Sequence, residues 1–379
     1  MTFVLNARED FAAQSLAGLV SANAGRVRAA PGGVVRATRR APGKVAVVVG
    51  GGSGHYPAFA GVVGTGLADG AVCGDVFASP STRQVMDICR AVEQGAGVWL
   101  SFGNYAGDVL NFSAAAARLR AQGIAVELLA VTDDVASAPV GEEHQRRGVA
   151  GDLMVFKIAG AAAEEGYDLA GVGTVAVRAN SRTRSFGVAF DGCTLPGADE
   201  PLFTLPDQTV AWGLGVHGEP GIGEGPLPSA DELAAQLVEK ILSDAPTDAG
   251  TRVTVLVNGL GAVKYEELFL LWNAVHALLK RAGLEIVAPE VGELVTSLDM
   301  AGCSLTVTWL DDELERLWLA PADGVAFRRT QPEPLDPTPV PEGAHSAAVV
   351  AAASEDGRRA GSCVLSALTA IEELLARME

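Results

Sequence analysis

Residues 44–57 of the chain have the sequence KVAVVVGGGSGHYP. Residues 45–49 form a short, largely β-branched, uninterrupted apolar run, which is typical of a strand buried on both faces of a parallel sheet. Glycines follow at once and lead to a histidine, His55. In open α/β sheets, ligands bind where a strand passes into such a turn. The segment therefore predicts an α/β fold with a ligand site at this strand end.

The glycine turn does not match either common nucleotide-binding motif. A P-loop needs lysine before serine or threonine, and this turn contains no lysine. The dinucleotide motif G-x-G-x-x-G needs glycine at the position that His55 occupies. A glycine turn that presents a histidine is what remains, and these residues alone leave a structural or a chemical role open for His55.

A second histidine lies in residues 212–223, WGLGVHGEPGIG. Glycines allow close approach of a ligand to the backbone, and Pro220 prevents a helix from forming just after His217. An imidazole on such a loop can act as a base, a metal ligand or a nucleophile. An ordinary surface turn is the alternative. We predict that a strand over residues 209–216 delivers His217.

Composition excludes several classes of function. The net charge of −18 argues against a nucleic-acid partner and against an anionic membrane surface. No apolar run is long enough to span a bilayer, and the start of the chain lacks the features of a signal peptide. The five cysteines are scattered, which favours reduced thiols and a cytoplasmic protein.

The order of predicted elements suggests two α/β domains. Strands and helices alternate through residues 1–184, which predicts a three-layer first domain. Residues 185–330 form a smaller second α/β domain that carries His217. Residues 331–361 are rich in proline and read as a semi-rigid linker, and residues 362–379 have the pattern of one amphipathic helix. The charged segment 142–148 is expected to be solvated.

One carboxylate follows another predicted strand. The strand at residues 97–102 leads into a polar loop that contains Gly103, Asn104 and Asp108, and a helix is expected from residue 109 to residue 122. A lone aspartate at such a place is often part of a turn or a helix cap. These residues alone therefore do not assign chemistry to Asp108.

Five motifs in the same order give the chain a specific resemblance. Over about residues 10–330 it resembles the substrate-binding K domain of the dihydroxyacetone kinase family. The motifs are GGGSGHYP at residues 50–57, NYAGDVLNF at residues 104–112, CTLP at residues 193–196, VHGEPGI at residues 216–222 and TSLDMAG at residues 296–302.

The resemblance implies a reaction and a set of site residues. A histidine matching His217 bonds covalently to the carbonyl carbon of a short-chain ketose, dihydroxyacetone or erythrulose, as a hemiaminal, which excludes glycerol. The match to His55 is a hydrogen-bonding and acid/base residue. The match to Asp108 orients, and can deprotonate, the hydroxyl that receives phosphate. The residues expected to contact substrate are Gly52, Ser53, Gly54, Gly103 and Asn104.

Two positions depart from the family pattern. Typical dihydroxyacetone kinases have lysine where this chain has Gly103, and glutamate where it has Tyr56. Glycine removes a long cationic side chain and leaves room, so a larger ketose such as the four-carbon erythrulose becomes a candidate substrate.

The resemblance also implies partners and alternatives. ATP-dependent members carry a helical L domain after a linker, and that domain binds ATP through Mg²⁺. Residues 362–379 resemble its first helix, so we expect this chain to bind ketose, to depend on an L domain for phosphorylation, and to form a homodimer. A ketose sensor that regulates transcription through a partner is the second hypothesis. An unrelated α/β binding module is the third.

Overall fold

Strands and helices alternate along the chain, as the sequence predicts. The computed structural model describes Thr2 and residues 4–330, so the predicted linker and final helix lie outside the described residues. The helices are α1 (Phe11–Ala22), α2 (Thr82–Val92), α3 (Ala106–Ala121), α4 (Gly151–Glu164), α5 (Leu169–Ser181), α6 (Ala230–Leu242), α7 (Tyr265–Arg281) and α8 (Asp312–Leu319). The strands are β1 (Val27–Ala30), β2 (Gly33–Arg36), β3 (Ala46–Ser53), β4 (Gly64–Thr65), β5 (Gly70–Val76), β6 (Val98–Gly103), β7 (Val126–Val131), β8 (Thr183–Asp191), β9 (Thr209–Trp212), β10 (Gly223–Pro226), β11 (Arg252–Gly259), β12 (Glu285–Ile286), β13 (Glu290–Gly292), β14 (Ala301–Trp309), β15 (Ala322–Gly324) and β16 (Arg328–Arg329).

The first sheet has six strands in the order β1-β2-β5-β3-β6-β7. Its last four strands are parallel, and the β1–β2 hairpin adds an antiparallel edge. Side chains alternate between two apolar layers: Val48 packs in the cluster that contains residues of α2 and α3, and Val47 and Val49 pack with α4 and α5. Helices therefore cover both faces, and the predicted three-layer α/β arrangement is confirmed.

Strand β3 is longer than predicted. We expected it to end at Val49, but it continues through the glycines to Ser53. The reason is tight packing: a Cβ on Gly50 would lie 2.6 Å from Val72 O, and one on Gly51 would lie 2.3 Å from a ring carbon of Phe59. These glycines let a neighbouring strand and an aromatic ring approach the backbone, and the turn begins only at Gly54.

The second sheet runs in the order β10-β9-β8-β14-β11-β12, with β13 also paired to β11. It is antiparallel except where β12 and β13 run parallel to β11. Helices α6 and α7 pack on it, and helix α4 contacts strands of both large sheets. Residues Met1–Gln331 cluster as one compact unit. The second sheet begins at Thr183, beside our division at residue 184, and the division into two domains stays a prediction.

Local signals place several helices accurately. Ser229 caps α6 and forms a reciprocal capping box with Glu232. Helix α7 spans Tyr265–Arg281, with acidic Glu266 and Glu267 in its first turn and basic Lys280 and Arg281 in its last. Within the described residues, none of the helices combines the length and the apolar character needed to cross a bilayer.

The charged segment 142–148 was predicted to be solvated, and for its arginines this is wrong. Arg146 is 0% exposed and donates two hydrogen bonds to the carboxylate of Asp244, at 2.8 and 2.7 Å. Arg184 donates to the same carboxylate at 2.6 Å. The partner lies 98 residues away along the chain, so no local pattern reveals the burial.

We expect Arg146→Ala to lower the free energy of unfolding by about 1.5–3 kcal/mol, because it removes hydrogen bonds to a charged group while Asp244 keeps Arg184 as its partner. Urea unfolding followed by circular dichroism measures the change. The control is Arg83→Ala, which removes a pair with Asp87 whose arginine side chain is 91% exposed and should cause no measurable loss. Equal effects of the two substitutions would contradict the importance of the Arg146–Asp244 pair.

Candidate active site

The structure brings the two predicted histidines into direct contact. His55 follows β3 of the first sheet, and His217 lies in the loop between β9 and β10 of the second sheet. Their Nε2 atoms are 3.0 Å apart. Strand β9 ends at Trp212 rather than at residue 216 as predicted, because Gly213 has a φ of 73°, a left-handed conformation that leaves the strand.

Glu219 fixes the orientation of the His217 ring. One carboxylate oxygen accepts from ring Nδ1 at 2.8 Å, and the other accepts from the backbone N–H of His217 at 3.0 Å. A Cβ on Gly215 would lie 2.0 Å from this carboxylate, so only glycine allows the arrangement. Burial acts to raise the pKa of Glu219, but the hydrogen bond and charge of His217 outweigh it and hold that pKa at about 2. Glu219 is therefore ionised. Glu219 lies in the motif VHGEPGI, but the sequence alone assigns it no role.

The protons of the histidine pair follow from their partners. The ionised Glu219 can only accept, so Nδ1 of His217 carries a hydrogen. Thr296 O can only accept, so Nδ1 of His55, at 2.8 Å, also carries one. A hydrogen bond between the two Nε2 atoms then needs one more proton, which the two rings share. Burial and then the charge of His217 lower the pKa of His55 to about 3, which disfavours a second proton on the His55 ring.

Aromatic rings enclose the histidine pair. Phe77 stacks on His55 with ring centroids 5.0 Å apart, and it meets His217 edge-on at 5.0 Å. Tyr105 meets His217 edge-on at 4.8 Å. Phe77 has a φ of 53°, a conformation that costs a non-glycine residue on the order of 1–3 kcal/mol. No local sequence pattern indicates that Phe77 and Tyr105 line the site.

Asp108 lies in the first turn of α3, because this helix begins at Ala106 and not at residue 109 as predicted. It is 8% exposed, and its Oδ1 has no hydrogen-bond partner within the described structure. Burial raises its pKa to about 6, although a hydrogen bond with Ser79 and the charge of His217 act in the opposite direction. A pKa near neutrality suits a general base.

The other predicted contact residues lie around this centre. Gly52 and Ser53 end β3, and the Ser53 hydroxyl donates to Gly74 O at 2.6 Å. Gly54 begins the turn that carries His55. The side-chain amide of Asn104 donates to His144 O and Arg146 O at 3.2 and 2.7 Å, so it holds that loop in place. Substrate contact by these residues and by Gly103 stays a prediction.

Across the part of the chain that the structure describes, no three His, Cys, Asp or Glu side chains are grouped to hold a metal ion. The chemistry on hand is a nucleophilic imidazole, an ionised carboxylate that orients it, and a buried carboxyl group that can take up a proton. This set suits a small ligand with an electrophilic carbon and hydroxyl groups.

Comparison with known protein families identifies the family to which the chain belongs. The profile of the Dak1 domain matches residues 17–326. The chain therefore belongs to the Dak1 domain family, and the resemblance to the K domain of dihydroxyacetone kinases is confirmed.

The proteins most relevant for comparison are named either erythrulose kinases or dihydroxyacetone-binding subunits. An L-erythrulose kinase of Pectobacterium atrosepticum is 56% identical over 99% of this chain and 64% of its own length. A D-erythrulose kinase of Mycolicibacterium smegmatis is 54% identical over 100% of this chain and 66% of its own length. The dihydroxyacetone-binding subunit of a Listeria innocua dihydroxyacetone kinase is 43% identical over 86% of this chain and 100% of its own length. The chain thus spans less than two thirds of these two erythrulose kinases.

Solved structures agree with the fold. The dihydroxyacetone kinase of C. freundii superposes with a TM-score of 0.80 and 35% identity, over 90% of this chain and 63% of that enzyme. A dihydroxyacetone kinase operon co-activator superposes with a TM-score of 0.79 and 29% identity, over 84% of this chain and 98% of that protein.

We expect Asp108→Asn to stabilise the protein at pH 7 by about 3 kcal/mol, because burial raises the carboxyl pKa to about 6 from an unfolded value near 4. In the wild type, stability is therefore lost as the pH rises from about 4 to 6, and the asparagine variant does not lose it. Thermal unfolding between pH 4 and pH 7.5 measures the difference, which should vanish near pH 4.

The matched control for this measurement is Asp231→Asn, which changes an exposed aspartate in the first turn of α6. It should show no gain in stability at pH 7. A pH-independent effect of Asp108→Asn would contradict the raised pKa of that carboxyl group.

Proposed function

We propose that this chain is the substrate-binding part of a ketose kinase and that it captures a short-chain ketose as a covalent hemiaminal on His217. The observation that carries the proposal is the hydrogen bond from Nδ1 of His217 to Glu219. It directs Nε2 away from Glu219 and towards His55, Phe77 and Tyr105. Imidazole held in this way attacks through Nε2.

The covalent step balances in protons and in charge with only His217, His55 and the ketose. A ketose displaces the contact between the two Nε2 atoms, and the lone pair of His217 Nε2 forms a bond to the carbonyl carbon. The shared proton passes through His55 Nε2 to the carbonyl oxygen, whose π bond breaks to give a hydroxyl group. The positive charge then resides on the alkylated imidazolium, beside the ionised Glu219. No charge or proton has to enter from outside.

Covalent capture supplies the selectivity of the site. Glycerol carries hydroxyl groups like those of dihydroxyacetone but has no carbonyl carbon for Nε2 to attack. Discrimination by bond formation exceeds what one or two hydrogen bonds provide. Polar contacts from the turn at Gly52, Ser53 and Gly54 then orient the captured sugar.

Phosphorylation follows on a terminal hydroxyl group. In this proposal Asp108, a buried carboxyl group with a pKa near 6, takes the proton of that hydroxyl as it attacks phosphate. The phosphate donor is ATP with Mg²⁺ on an L domain, either in the same polypeptide or in a separate subunit. The greater length of the erythrulose kinases that match this chain supports a further domain in those proteins.

Erythrulose is the substrate that we favour. Two relatives at 54–56% identity are named erythrulose kinases. Gly103 supports the same choice, because the site wall carries no side chain at this position. The choice between the two erythrulose enantiomers is left to experiment.

A ketose sensor is less well supported. The co-activator structure shares the fold at 29% identity, whereas the relatives above 50% identity are named kinases. Sensing needs capture but no proton transfer, so the retention of Asp108 in the site also favours the kinase. The cytoplasmic location and the homodimer expected from the sequence stay predictions.

We expect an NMR experiment on the chain to detect covalent capture. With ketose labelled at the carbonyl carbon with ¹³C, the bound carbonyl signal should be replaced by a tetrahedral-carbon signal. His217→Ala should abolish that signal because the nucleophile is gone. If dihydroxyacetone and erythrulose both show only the signals of the free sugar in the presence of the wild-type chain, the proposal of covalent capture on His217 is wrong.

Glu219→Gln is the graded control for the same experiment. The amide keeps the shape of the side chain but cannot balance the imidazolium charge, so we expect capture to weaken by about 10–100-fold, the value of a hydrogen bond between charged groups. Its effect separates the orienting carboxylate from the nucleophile.

We expect Gly103→Lys to reduce the preference for erythrulose over dihydroxyacetone. A Cβ at this position lies 3.1 Å from Gly148 O and 3.3 Å from Asp152 Oδ2, so the new side chain fills the wall and brings a cation beside a carboxylate. Competition between the two labelled sugars measures the preference. Gly103→Ala adds only the methyl group and should cause a smaller shift. If the preference survives the lysine, the argument from space at Gly103 is wrong.

A further inference from the structure

Two neighbouring residues, Thr296 and Ser297, contact the loops of both histidines. They lie between β13 and β14, in the motif TSLDMAG. Both are buried, and Ser297 is 0% exposed. The capture and phosphorylation described above give their side chains no role. Buried hydroxyl groups have hydrogen-bond partners, so the partners of these two indicate what the segment does.

The segment holds the turn that carries His55. The N–H of Leu298 donates to Gly54 O at 2.8 Å, and the N–H of Thr296 donates to His55 O at 3.2 Å. Thr296 O accepts from ring Nδ1 of His55 at 2.8 Å. The hydroxyl of Thr296 donates to Tyr56 O, also at 2.8 Å. Backbone and ring of His55 are therefore both fixed to this one segment.

The next side chain along the segment contacts the other histidine loop. The hydroxyl of Ser297 donates to Val216 O at 2.5 Å, and Val216 directly precedes His217. Cys193 Sγ lies 3.7 Å from the same hydroxyl and is a weak partner. The hydrogen bond to Val216 thus connects the His217 loop to the segment that holds His55.

The segment itself is anchored to the second sheet. Asn258, a fully buried residue of β11, accepts through Oδ1 from the N–H groups of Leu294 and Val295 at 2.9 and 3.0 Å. Its Nδ2 donates to Val295 O at 2.7 Å. The N–H of Ser297 donates to Leu260 O at 2.8 Å. A support fixed in this way can hold two loops at one defined distance.

We propose that Ser297 is a positioning residue, whose hydrogen bond to Val216 O sets the 3.0 Å contact between the Nε2 atoms of His217 and His55 and so prepares His217 for capture. This inference rests on the proposed function. A nucleophile that is already in place loses little freedom on reaction, and a displacement of about 1 Å costs on the order of 100-fold in rate. Without the Ser297 hydroxyl, the His217 loop keeps its internal contacts but loses this connection to the His55 turn.

The first measurement detects the contact between the two rings in the absence of sugar. In the full chain with ¹⁵N-labelled histidine, the proton between the two Nε2 atoms transmits a spin coupling from one nitrogen to the other. We expect the wild type to show this coupling and Ser297→Ala to lose it. The matched control is Ser101→Ala, which should keep it. Ser101 is also 0% exposed and donates its hydroxyl to a backbone oxygen, Leu129 O, at 2.8 Å.

The second measurement is the ¹³C capture experiment on the same variants. Ser297→Ala should raise the dissociation constant of the captured ketose about five- to tenfold, the weight of one ordinary hydrogen bond, and Ser101→Ala should stay within about twofold of the wild type. Thermal unfolding measures the loss of stability, which should be similar in the two variants because each loses one buried hydrogen bond.

The outcomes separate this inference from the proposed function. If the wild type captures neither ketose, the proposed function fails, and the coupling in the sugar-free chain still decides whether Ser297 positions the rings. The inference is overturned if the wild type lacks the coupling, if Ser297→Ala keeps it, or if Ser101→Ala also loses it. An unchanged dissociation constant in Ser297→Ala overturns it as well.

A second variant decides the matter should Ser297→Ala fail to fold. Ser297→Cys, studied under reducing conditions, fills the space of the hydroxyl with a thiol that donates only weakly. The loss of the coupling between the rings is again expected, and its retention would overturn the role of Ser297.

Discussion

The hydrogen bond between the ionised Glu219 and Nδ1 of His217 is the constraint on which the site depends. It fixes the tautomer and the direction of the ring, and both would be free in an isolated loop. The loop is built to hold this contact. Gly215 provides room for the carboxylate, the hydroxyl of Ser297 donates to Val216 O, and Arg147 donates to Gly213 O. The residues around His217 thus serve to keep one nitrogen lone pair in one direction.

The site carries costs that the rest of the fold has to offset. Phe77 and Leu298 have positive φ values of 53° and 54°, and both lie beside the glycine turn that carries His55. Buried carboxyl groups without full hydrogen bonding add to these costs. Strain and unpaired groups of this kind concentrate at functional sites and persist because the surrounding core over-determines them. Here the core includes a buried helix, α4, whose residues from Gly151 to Ala163 are all buried.

The sequence predicted the features whose signals are local. The buried strand after Lys44 follows from an uninterrupted, largely β-branched apolar run of a few residues. The two histidines stood out because each follows a glycine-rich turn, and the family resemblance joined them in one site.

What the sequence missed depends on partners far along the chain. Arg146 looks like a surface charge until Asp244 is brought beside it. Strand β9 ends early because of the positive φ of Gly213, a conformation that glycine permits but does not require. Ring contacts such as those of Phe77 arise only when two sheets meet.

The small sheet formed by β4, β15 and β16 has a consequence for how the protein is made. It pairs Gly64 and Thr65 with residues Asp323 and Gly324, and the apolar cluster beneath the first sheet includes both Val27 and Phe327. A ribosome builds the chain from its amino end, and domains generally fold as complete units. The first sheet can therefore complete its core only after more than three hundred residues have been synthesised. Until then its apolar face has to be shielded by the growing chain itself or by a chaperone.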